Sequence, residues 1–401
     1  MKSIVGPSRP VTAIAAIMCC VLVFSGCAGG HRITGDSLAE LRPVTLRVAN
    51  FTAASADGPF NAFAAEVERR TGGKITFESY WGGSLLTSEE MAQGVRGGIA
   101  DIGMFGPEKY PSEYPMSNWL THLNSLVEPR DPLGLMQGFA AITEFVLTDE
   151  VLTEYFRERD LKILFTYTPI TNYHLACKTP VRTLEEARGK RVRSGGTFTD
   201  GDIEAMGMVP VNLPTGDIYE SLQRGVIDCT VAMPKFMVAY GIAEVAKHYT
   251  EVSITGYSQY QVMNLGVWES LPPDAQRAIT DSLGTWYEHL LTEEGIGYQR
   301  ELYAEAPAKY GVRFHQPAPD MVEAVRTEQA AAVAELPSVA PEGLADPHAA
   351  IERYRAVLDD WKARLIAMGY ADPALSDPDA EIDLGPYLTE VERTVFDRYL
   401  R

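Results

Sequence analysis

A short basic strand ends in a glycine turn near the middle of the chain, where Arg191, Val192 and Arg193 precede Ser194 and Gly195. A guanidinium presents a planar fork of N–H donors that matches the two oxygens of a carboxylate. A glycine turn follows after Ser194, and a strand-end arginine beside such a turn is well placed to hold a carboxylate. We therefore expect Arg193 to bind an anionic group. The alternative is a structural arginine bonded to a neighbouring acid or carbonyl.

Local patterns predict the elements that position this arginine. KRVR and VPVNL have the pattern of short strands separated by a helix, and a loop with Pro214 and Gly216 leads into a helix with Asp217 in its first turn. Alternating strands and helices indicate α/β sheets, whose ligand crevices lie beyond the carboxyl ends of strands. Further strands are predicted at 46–49, 75–80, 102–105, 161–167, 173–178 and 258–267, and helices at 59–70, 286–309, 320–336, 348–368 and 387–401.

Residues 213–229, LPTGDIYESLQRGVIDC, resemble the segment MPxxEVYxALQxGxVDG of the DctP-type solute-binding proteins of tripartite ATP-independent periplasmic (TRAP) transporters. Cys229 departs from this pattern, because the family usually has glycine there. Residues 60–85 and 94–106 follow the family's order and spacing as well, so the resemblance covers about 46–268. The matching positions in the first segment are Tyr219, Leu222, Gln223, Gly225 and Asp228.

The resemblance implies an α/β, two-lobe periplasmic-binding-protein-like fold (type II) with a hinge and long helices in the C-terminal half. In such a fold the chain crosses between the lobes more than once. We expect lobe I to contain residues 45–170 and 257–300. Lobe II is expected to contain 171–256 and 301–401, including a helical C-terminal extension.

The resemblance also implies ligand contacts. Arg193 matches the family's carboxylate-binding arginine, and Tyr173 stands where a second arginine is common. A phenol cannot neutralise a second carboxylate, which argues against a doubly charged ligand. Lys109 lies where some relatives place a basic residue, and Gln259 where relatives place an amide, with Tyr260 as a fallback.

The remaining candidates come from residue types near these positions. Trp81 precedes two glycines and can form an apolar wall, with core packing as the alternative. Thr215 stands where relatives have an aromatic residue, and Met233 or Ala232 would add apolar contact. Ser194 and Thr197 can donate hydroxyls beside Arg193, or cap the next helix.

Composition excludes several functions. The chain has 54 acidic and 35 basic side chains and a formal net charge of −19, so nucleic acid is not an expected partner. The seven histidines show no metal-ligand spacing, and we expect no metal and no cofactor. We found no G-x-S-x-G, H-E-x-x-H or P-loop motif, and we expect no catalytic residue.

The N-terminus predicts export. Lys2 and Arg9 precede an apolar run at 11–24 that is short for a membrane span, and FSGC at 24–27 resembles a bacterial lipoprotein cleavage box. Residues 1–27 are then a signal peptide, Cys27 the lipidated residue and 28–44 a flexible tether. The alternatives are an ordinary signal peptide or an uncleaved anchor. Loss of the leader makes the formal charge 33 − 54 = −21.

Two cysteines remain beyond the leader, Cys177 and Cys229, each in a predicted strand. An oxidising compartment permits a disulfide between them. Two buried thiols are the simpler expectation.

Together these features predict an exported, lipid-anchored receptor, on the outer face of the cytoplasmic membrane or in the periplasm. It would close two lobes around a small carboxylate and deliver it to the small and large integral-membrane subunits of a TRAP permease. The alternatives are an extracellular sensor or an enzyme on the same two-lobe scaffold, because a fold does not fix a function.

Overall fold

The computed structural model describes residues 33–52, 57–169, 172–377 and 379–399. Cys27 and the predicted signal peptide lie outside these residues. None of the helices within the described ranges combines the length and apolarity needed to cross a membrane.

Two mixed sheets form the frame of the molecule. The first has the strand order β2-β1-β3-β10-β4, and the second β11-β9-β5-β8-β6-β7. In the first sheet β1 runs parallel to β2 and β3, while β10 runs antiparallel to β3 and β4. The strands are β1 Val44–Ala49, β2 Ile75–Tyr80, β3 Ile102–Phe105, β4 Leu161–Tyr167, β5 Tyr173–Cys177, β6 Arg191–Arg193, β7 Val209–Val211, β8 Cys229–Ala232, β9 His248–Ile254, β10 Gln259–Asn264 and β11 Arg313–His315.

Helices cover these sheets, and the C-terminal part is mostly helical. The α-helices are α1 Gly58–Arg70, α2 Met91–Arg96, α3 Pro115–Thr121, α4 Leu133–Thr148, α5 Glu150–Arg157, α6 Leu184–Ala187, α7 Thr197–Ala205, α8 Ile218–Arg224, α9 Pro234–Ala239, α10 Ile242–Val245, α11 Leu265–Ser270, α12 Pro273–Thr280, α13 Leu283–His289, α14 Tyr298–Arg300, α15 Ala306–Tyr310, α16 Pro319–Glu335, α17 Pro347–Ala367, α18 Gly385–Val391 and α19 Asp397–Tyr399.

Each sheet has its own hydrophobic core, and these cores define lobe I and lobe II. Lobe I packs around the first sheet, with Leu46, Phe63 and Trp286 among its buried side chains. Lobe II packs around the second sheet, with Val192 and Tyr249 in its core. The chain passes to lobe II after β4 and returns at β10. The predicted two-lobe α/β fold is confirmed.

One long helix joins the lobes a third time. It runs without a break from α13 to α15, and the segments Leu290–Gly297 and Glu301–Glu305 are π-helical. Leu291 belongs to the core of lobe I and Leu302 to that of lobe II. The helix therefore bridges the two lobes, as expected of the C-terminal half.

The C-terminal extension packs on lobe I, which differs from its predicted place in lobe II. The buried face of α17, with Leu358, Trp361 and Leu365, belongs to the core of lobe I. Gln137 on α4 donates a hydrogen bond of 2.8 Å to the backbone of Leu358. Lobe II keeps the chain only to about Val325, because the apolar face of α17 fits against α4.

The described part of the predicted tether, residues 33–44, packs on lobe I. Leu41 is buried, and Ile33 and Leu38 pack against lobe I. The backbone N–H of Leu38 donates to the carboxylate of Asp274 at 2.7 Å. The flexible-tether prediction is therefore wrong for residues 33–44, because their apolar side chains find a surface to cover.

Cys177 and Cys229 form a disulfide, so the expectation of two buried thiols was wrong. The two residues lie directly opposite each other on the antiparallel strands β5 and β8. Their Cα atoms are 4.1 Å apart. The pairing depends on sheet register, which the sequence separation of 52 residues conceals.

Candidate ligand-binding site

A narrow cavity lies between the lobes, where β3 and β6 end and β10 begins. Its free volume is about 30 Å³, room for no more than a few water molecules. A small organic molecule can therefore enter only when the lobes separate. The lining residues are Phe51, Thr52, Glu108, Lys109, Pro169, Tyr173, Arg193, Gly195, Thr215, Met233, Lys235, Phe236, Tyr240, Tyr257, Gln259 and Glu294.

Arg193 is the most deeply buried cation of this cavity. It ends β6, between β8 and β7, and is only 2% exposed. Its Nε donates to the carbonyl of Leu213 at 3.2 Å, and its Nη2 to the hydroxyl of Thr215 at 3.1 Å. Its Nη1 is buried and has no hydrogen-bond partner among the described residues. Burial lowers the pKa of Arg193, although nearby phenols and Glu108 oppose that effect.

Aromatic rings form the walls around this guanidinium. Its Cζ lies 5.9 Å from the ring centre of Phe236, the geometry of a cation–π contact. Tyr173 and Tyr257 stack with ring centres 5.6 Å apart and an interplanar angle of 8°. Burial holds the pKa of both phenols well above the ordinary value, so both are neutral donors. Met233 adds a buried apolar surface.

Gln259 lines the cavity but its amide is already bonded on both sides. Its Oε1 accepts from the phenol of Tyr167 at 2.6 Å. Its Nε2 donates to the phenol of Tyr257 at 3.0 Å. Gln259 therefore fixes the position of Tyr257 in this closed form.

Lys109 and Glu108 enter the cavity from the turn after β3, on lobe I. Burial lowers the pKa of Lys109, while Glu108 and Glu89 oppose the shift. Burial raises the pKa of Glu108 to about 7, although Lys109 and Arg193 pull in the other direction. The cavity thus contains an acid that titrates near neutral pH.

A buried ion pair closes one side of the cavity. Lys235 on α9 donates to Glu294 in the bridging helix at 2.6 Å, and the two side chains are 6% and 8% exposed. Glu294 lies in the π-helical segment Leu290–Gly297, and π-helical turns are frequent at functional sites. The pair also lines a second small cavity behind the first.

Six of the nine predicted ligand contacts come together in this lining: Arg193, Tyr173, Gln259, Lys109, Thr215 and Met233. Trp81 instead packs beside Phe60, with ring centres 6.4 Å apart, as in the core-packing alternative. Ser194 is buried and its hydroxyl bonds Asp200. Thr197 is exposed at the start of α7. The structure does not place these three in the cavity.

Several lining residues were not predicted from the sequence. Glu108 adjoins Lys109 in the GPEK turn, and Lys235 lies two residues after Met233 in the MPKF segment. Their closeness in sequence to predicted ligand contacts is the only signal by which they could have been found. Glu294 lies in a helical stretch with many acids, where no local signal distinguishes it. Tyr257 directly precedes the predicted strand at 258–267.

The arrangement is suited to binding. It offers a buried cation with a free donor, neutral phenols and an aromatic wall, which are the features of a small-molecule site. Among the described residues, the lining contains no serine, cysteine or histidine.

Two α/β lobes, repeated crossovers and a buried arginine in the cleft define a solute-binding protein of the periplasmic type. Residues 55–338 match the family described as bacterial extracellular solute-binding protein, family 7 (DctP). The chain belongs to this family, whose members are receptors for small molecules. The resemblance inferred from residues 213–229 is confirmed.

Curated relatives are distant. A solute-binding protein of Albidiferax ferrireducens is 25% identical over 240 residues, 58% of this chain and 66% of that protein. The C4-dicarboxylate-binding periplasmic protein DctP of Rhodobacter capsulatus is 30% identical over 111 residues, 27% of this chain and 33% of that protein. The chain thus matches less than two thirds of the length of each of these relatives.

Solved structures share the fold. A TRAP periplasmic solute-binding protein from Desulfovibrio salexigens is 25% identical, with a TM-score of 0.63 over 82% of this chain and 98% of that chain. The ectoine-binding protein of the TeaABC TRAP transporter of Halomonas elongata is 20% identical, with a TM-score of 0.66 over 81% of this chain and 100% of that chain.

Proposed function

We propose that this chain captures a small organic acid between its two lobes and delivers it to a TRAP permease with a small and a large integral-membrane subunit. One observation carries the proposal. Nη1 of Arg193 is buried at the end of β6, lies in the lining of the cleft and has no partner among the described residues.

The energetics favour an anionic ligand. A buried charged donor without a partner is costly, whereas a charge-assisted hydrogen bond to a carboxylate is among the strongest in proteins. Leu213 and Thr215 occupy the other donors on one side of the guanidinium. An acid that reaches Nη1 would therefore hold the lobes together by its greater affinity for the closed form.

The relatives supply a choice of ligands to test. One relative is named for C4-dicarboxylates and another for ectoine, and one solved neighbour contains co-purified pyroglutamate. In the Desulfovibrio salexigens structure a C-terminus from a neighbouring molecule is bound in the ligand site. These ligands share a carboxylate, which supports the role proposed for Arg193.

The test uses Arg193→Ala with Arg191→Ala as the matched control. Both residues lie on β6, but Arg191 is exposed and pairs with Asp228. A thermal-shift screen of organic acids first identifies a ligand of the wild-type protein, because a bound ligand raises Tm. We expect Arg193→Ala to weaken its affinity at least about a hundredfold, since a charged hydrogen bond is lost in a buried site.

Arg191→Ala should bind as wild type does, within about twofold, because surface pairs contribute little. Arg193→Lys keeps the charge but lacks the fork, and should recover only part of the affinity. If Arg193→Ala binds the acid as tightly as Arg191→Ala does, the proposed function is wrong.

We also propose that the chain is exported and held at the membrane by lipid on Cys27. The apolar run and the FSGC segment at 24–27 support this placement. The acidic net charge gives no attraction to an anionic membrane surface, so a covalent anchor would be needed for stable attachment.

A further inference from the structure

Glu108 carries the second buried polar atom in the cavity lining that lacks a partner among the described residues. It lies in the turn Pro107–Lys109 that follows β3 in lobe I. Its Oε2 is buried and has no hydrogen-bond partner among the described residues. A Cβ added at Gly196 would lie 3.4 Å from the Cβ of Glu108. The Cβ of Glu108 therefore lies against the glycine turn that follows Arg193 on lobe II, while its carboxylate lies against Gly106 of its own turn.

The other charges of the cavity do not satisfy this acid. Lys235 and Glu294 are paired with each other. In the described part of the chain no ion pair joins Glu108 to Lys109 or Arg193, although both cations lower its pKa. Among the described residues, Nη1 of Arg193 from lobe II and Oε2 of Glu108 from lobe I thus lack partners, and both side chains line the same cavity.

We propose that the ligand carries a hydrogen-bond donor, best a cationic N–H, in addition to its carboxylate. Glu108 binds this donor while Arg193 binds the carboxylate, and the inference rests on the function proposed above. The chemical class is a small amino acid or another acid with an N–H group.

The aromatic walls of the cavity fit such a molecule. Phe236, Tyr173 and Tyr257 line the same cavity as Arg193 and Glu108, and their rings contact one another. A hydrocarbon segment between the carboxylate and the N–H would lie against these rings. The nearby neutral pair of Lys235 and Glu294 adds no net charge that would favour a second carboxylate.

Binding of a cationic donor should release protons. Burial raises the pKa of Glu108 to about 7, so the acid is partly protonated near neutral pH. A cationic N–H favours the ionised carboxylate and expels that proton. A ligand that accepted a hydrogen bond from Glu108 would instead take protons up.

The experiment compares acids that differ only in nitrogen. L-proline is paired with cyclopentanecarboxylate, and 4-aminobutyrate with pentanoate, and binding is measured by calorimetry in two buffers of different ionisation enthalpy. We expect the wild-type protein to bind at least one N–H-bearing member about tenfold or more tighter than its isostere. That binding should release protons near pH 7.

Glu108→Leu should reduce the preference to about threefold or less, and Glu108→Gln should abolish the proton release. Glu89→Gln is the matched control. Glu89 is exposed and does not line the cavity, although its charge raises the pKa of Lys109. The control should change neither the preference for the N–H-bearing acid nor the number of protons released. If Glu108→Leu does not fold, the test depends on whether Glu108→Gln abolishes the proton release.

A wild-type protein that binds the isosteres as tightly, or a preference that survives in both Glu108 variants, would overturn the inference. So would a screen in which every acid that binds the wild-type protein lacks an N–H group. If no acid binds at all, or if binding ignores Arg193, it is the proposed function that fails.

Discussion

His174 lies next to Tyr173 on β5 but lines the second cavity, which also contains Lys235 and Glu294. Its Nδ1 accepts a hydrogen bond of 3.2 Å from the backbone N–H of Ser253, and its ring meets Tyr249 edge-on. Burial lowers the pKa of His174 from 6.5 to about 4. The imidazole is therefore neutral in the folded protein and has a structural role.

This pKa makes stability depend on pH. Because the folded pKa lies below the unfolded one, the contribution of His174 is complete above 6.5 and is lost as the pH falls toward 4. We expect wild type to lose about 1–2 kcal/mol more unfolding free energy than His174→Asn between about pH 7.5 and pH 5. Asparagine keeps an acceptor for Ser253 without the charge.

Urea unfolding at the two pH values measures the difference, with His348→Asn as the control. His348 is exposed, so its replacement should leave the pH dependence of wild type unchanged. Equal acid sensitivity of wild type and His174→Asn would show that His174 titrates normally.

At the level of single residues, the sequence predicted what local pattern carries. Arg193 and Thr215 were recognisable because a strand, a glycine turn and a family segment surround them. Glu108 and Lys235 were not, because their importance comes from burial at the contact between lobes. Trp81 was misplaced because an aromatic beside glycines looks the same in a core and in a pocket.

Among the elements, the bridging helix carries one partner of the buried ion pair at the contact between the lobes. Its π-helical segment carries Glu294, and α9 of lobe II carries Lys235. The ion pair between them is almost fully buried, so neither charge has water to replace its partner. We expect the pair to favour the closed arrangement of the lobes, because its two partners lie on a helix of lobe II and on the bridging helix.

Glu294→Gln should destabilise this closed form. It leaves Lys235 as a buried unpaired charge, which costs about 3 kcal/mol unless the lobes open and hydrate it. We expect a lower Tm and, by small-angle scattering, a larger radius of gyration without ligand. The double variant Lys235→Met with Glu294→Leu should recover the lost stability, since a buried pair can be replaced by apolar groups.

Glu220→Gln is the control for this measurement. It breaks an exposed pair with Arg224 on α8, which should change stability by about 0.5 kcal/mol or less. A Glu294→Gln protein as stable and as compact as the control would show that the pair does not hold the lobes.

Strand and helix positions were largely predictable, because alternation and helical spacing are local signals. KRVR and VPVNL correspond to β6 and β7, and the predicted helix at 348–368 to α17. Which residues far apart in the sequence contact each other was not predictable from these local signals. The disulfide of Cys177 with Cys229 depends on the register of β5 with β8, and the docking of α17 on α4 depends on a surface far away in sequence.

At the scale of the whole molecule, the extension beyond the family match is part of lobe I. The match ends at residue 338, and α17 follows it. Arg353 and Lys362 pair with Asp149 and Glu128 of lobe I at 2.5 and 2.8 Å. The extension thus enlarges lobe I, whereas Arg193 belongs to lobe II. It therefore alters the outer surface of the molecule without altering the surroundings of Arg193.

We propose that residues before the described ranges determine where the molecule lies in the cell. None of the described helices is long and apolar enough to span a membrane, and the described ranges begin at residue 33, close in sequence to the proposed lipid site at Cys27. If lipid on Cys27 is the anchor, Cys27→Ser should move the protein from the membrane fraction to the soluble extracytoplasmic fraction. Cys20→Ser changes another leader cysteine outside the cleavage box and should leave the protein on the membrane. Fractionation with mass spectrometry of the mature N-terminus measures both, and a Cys27→Ser protein that stays membrane-bound would contradict lipidation there.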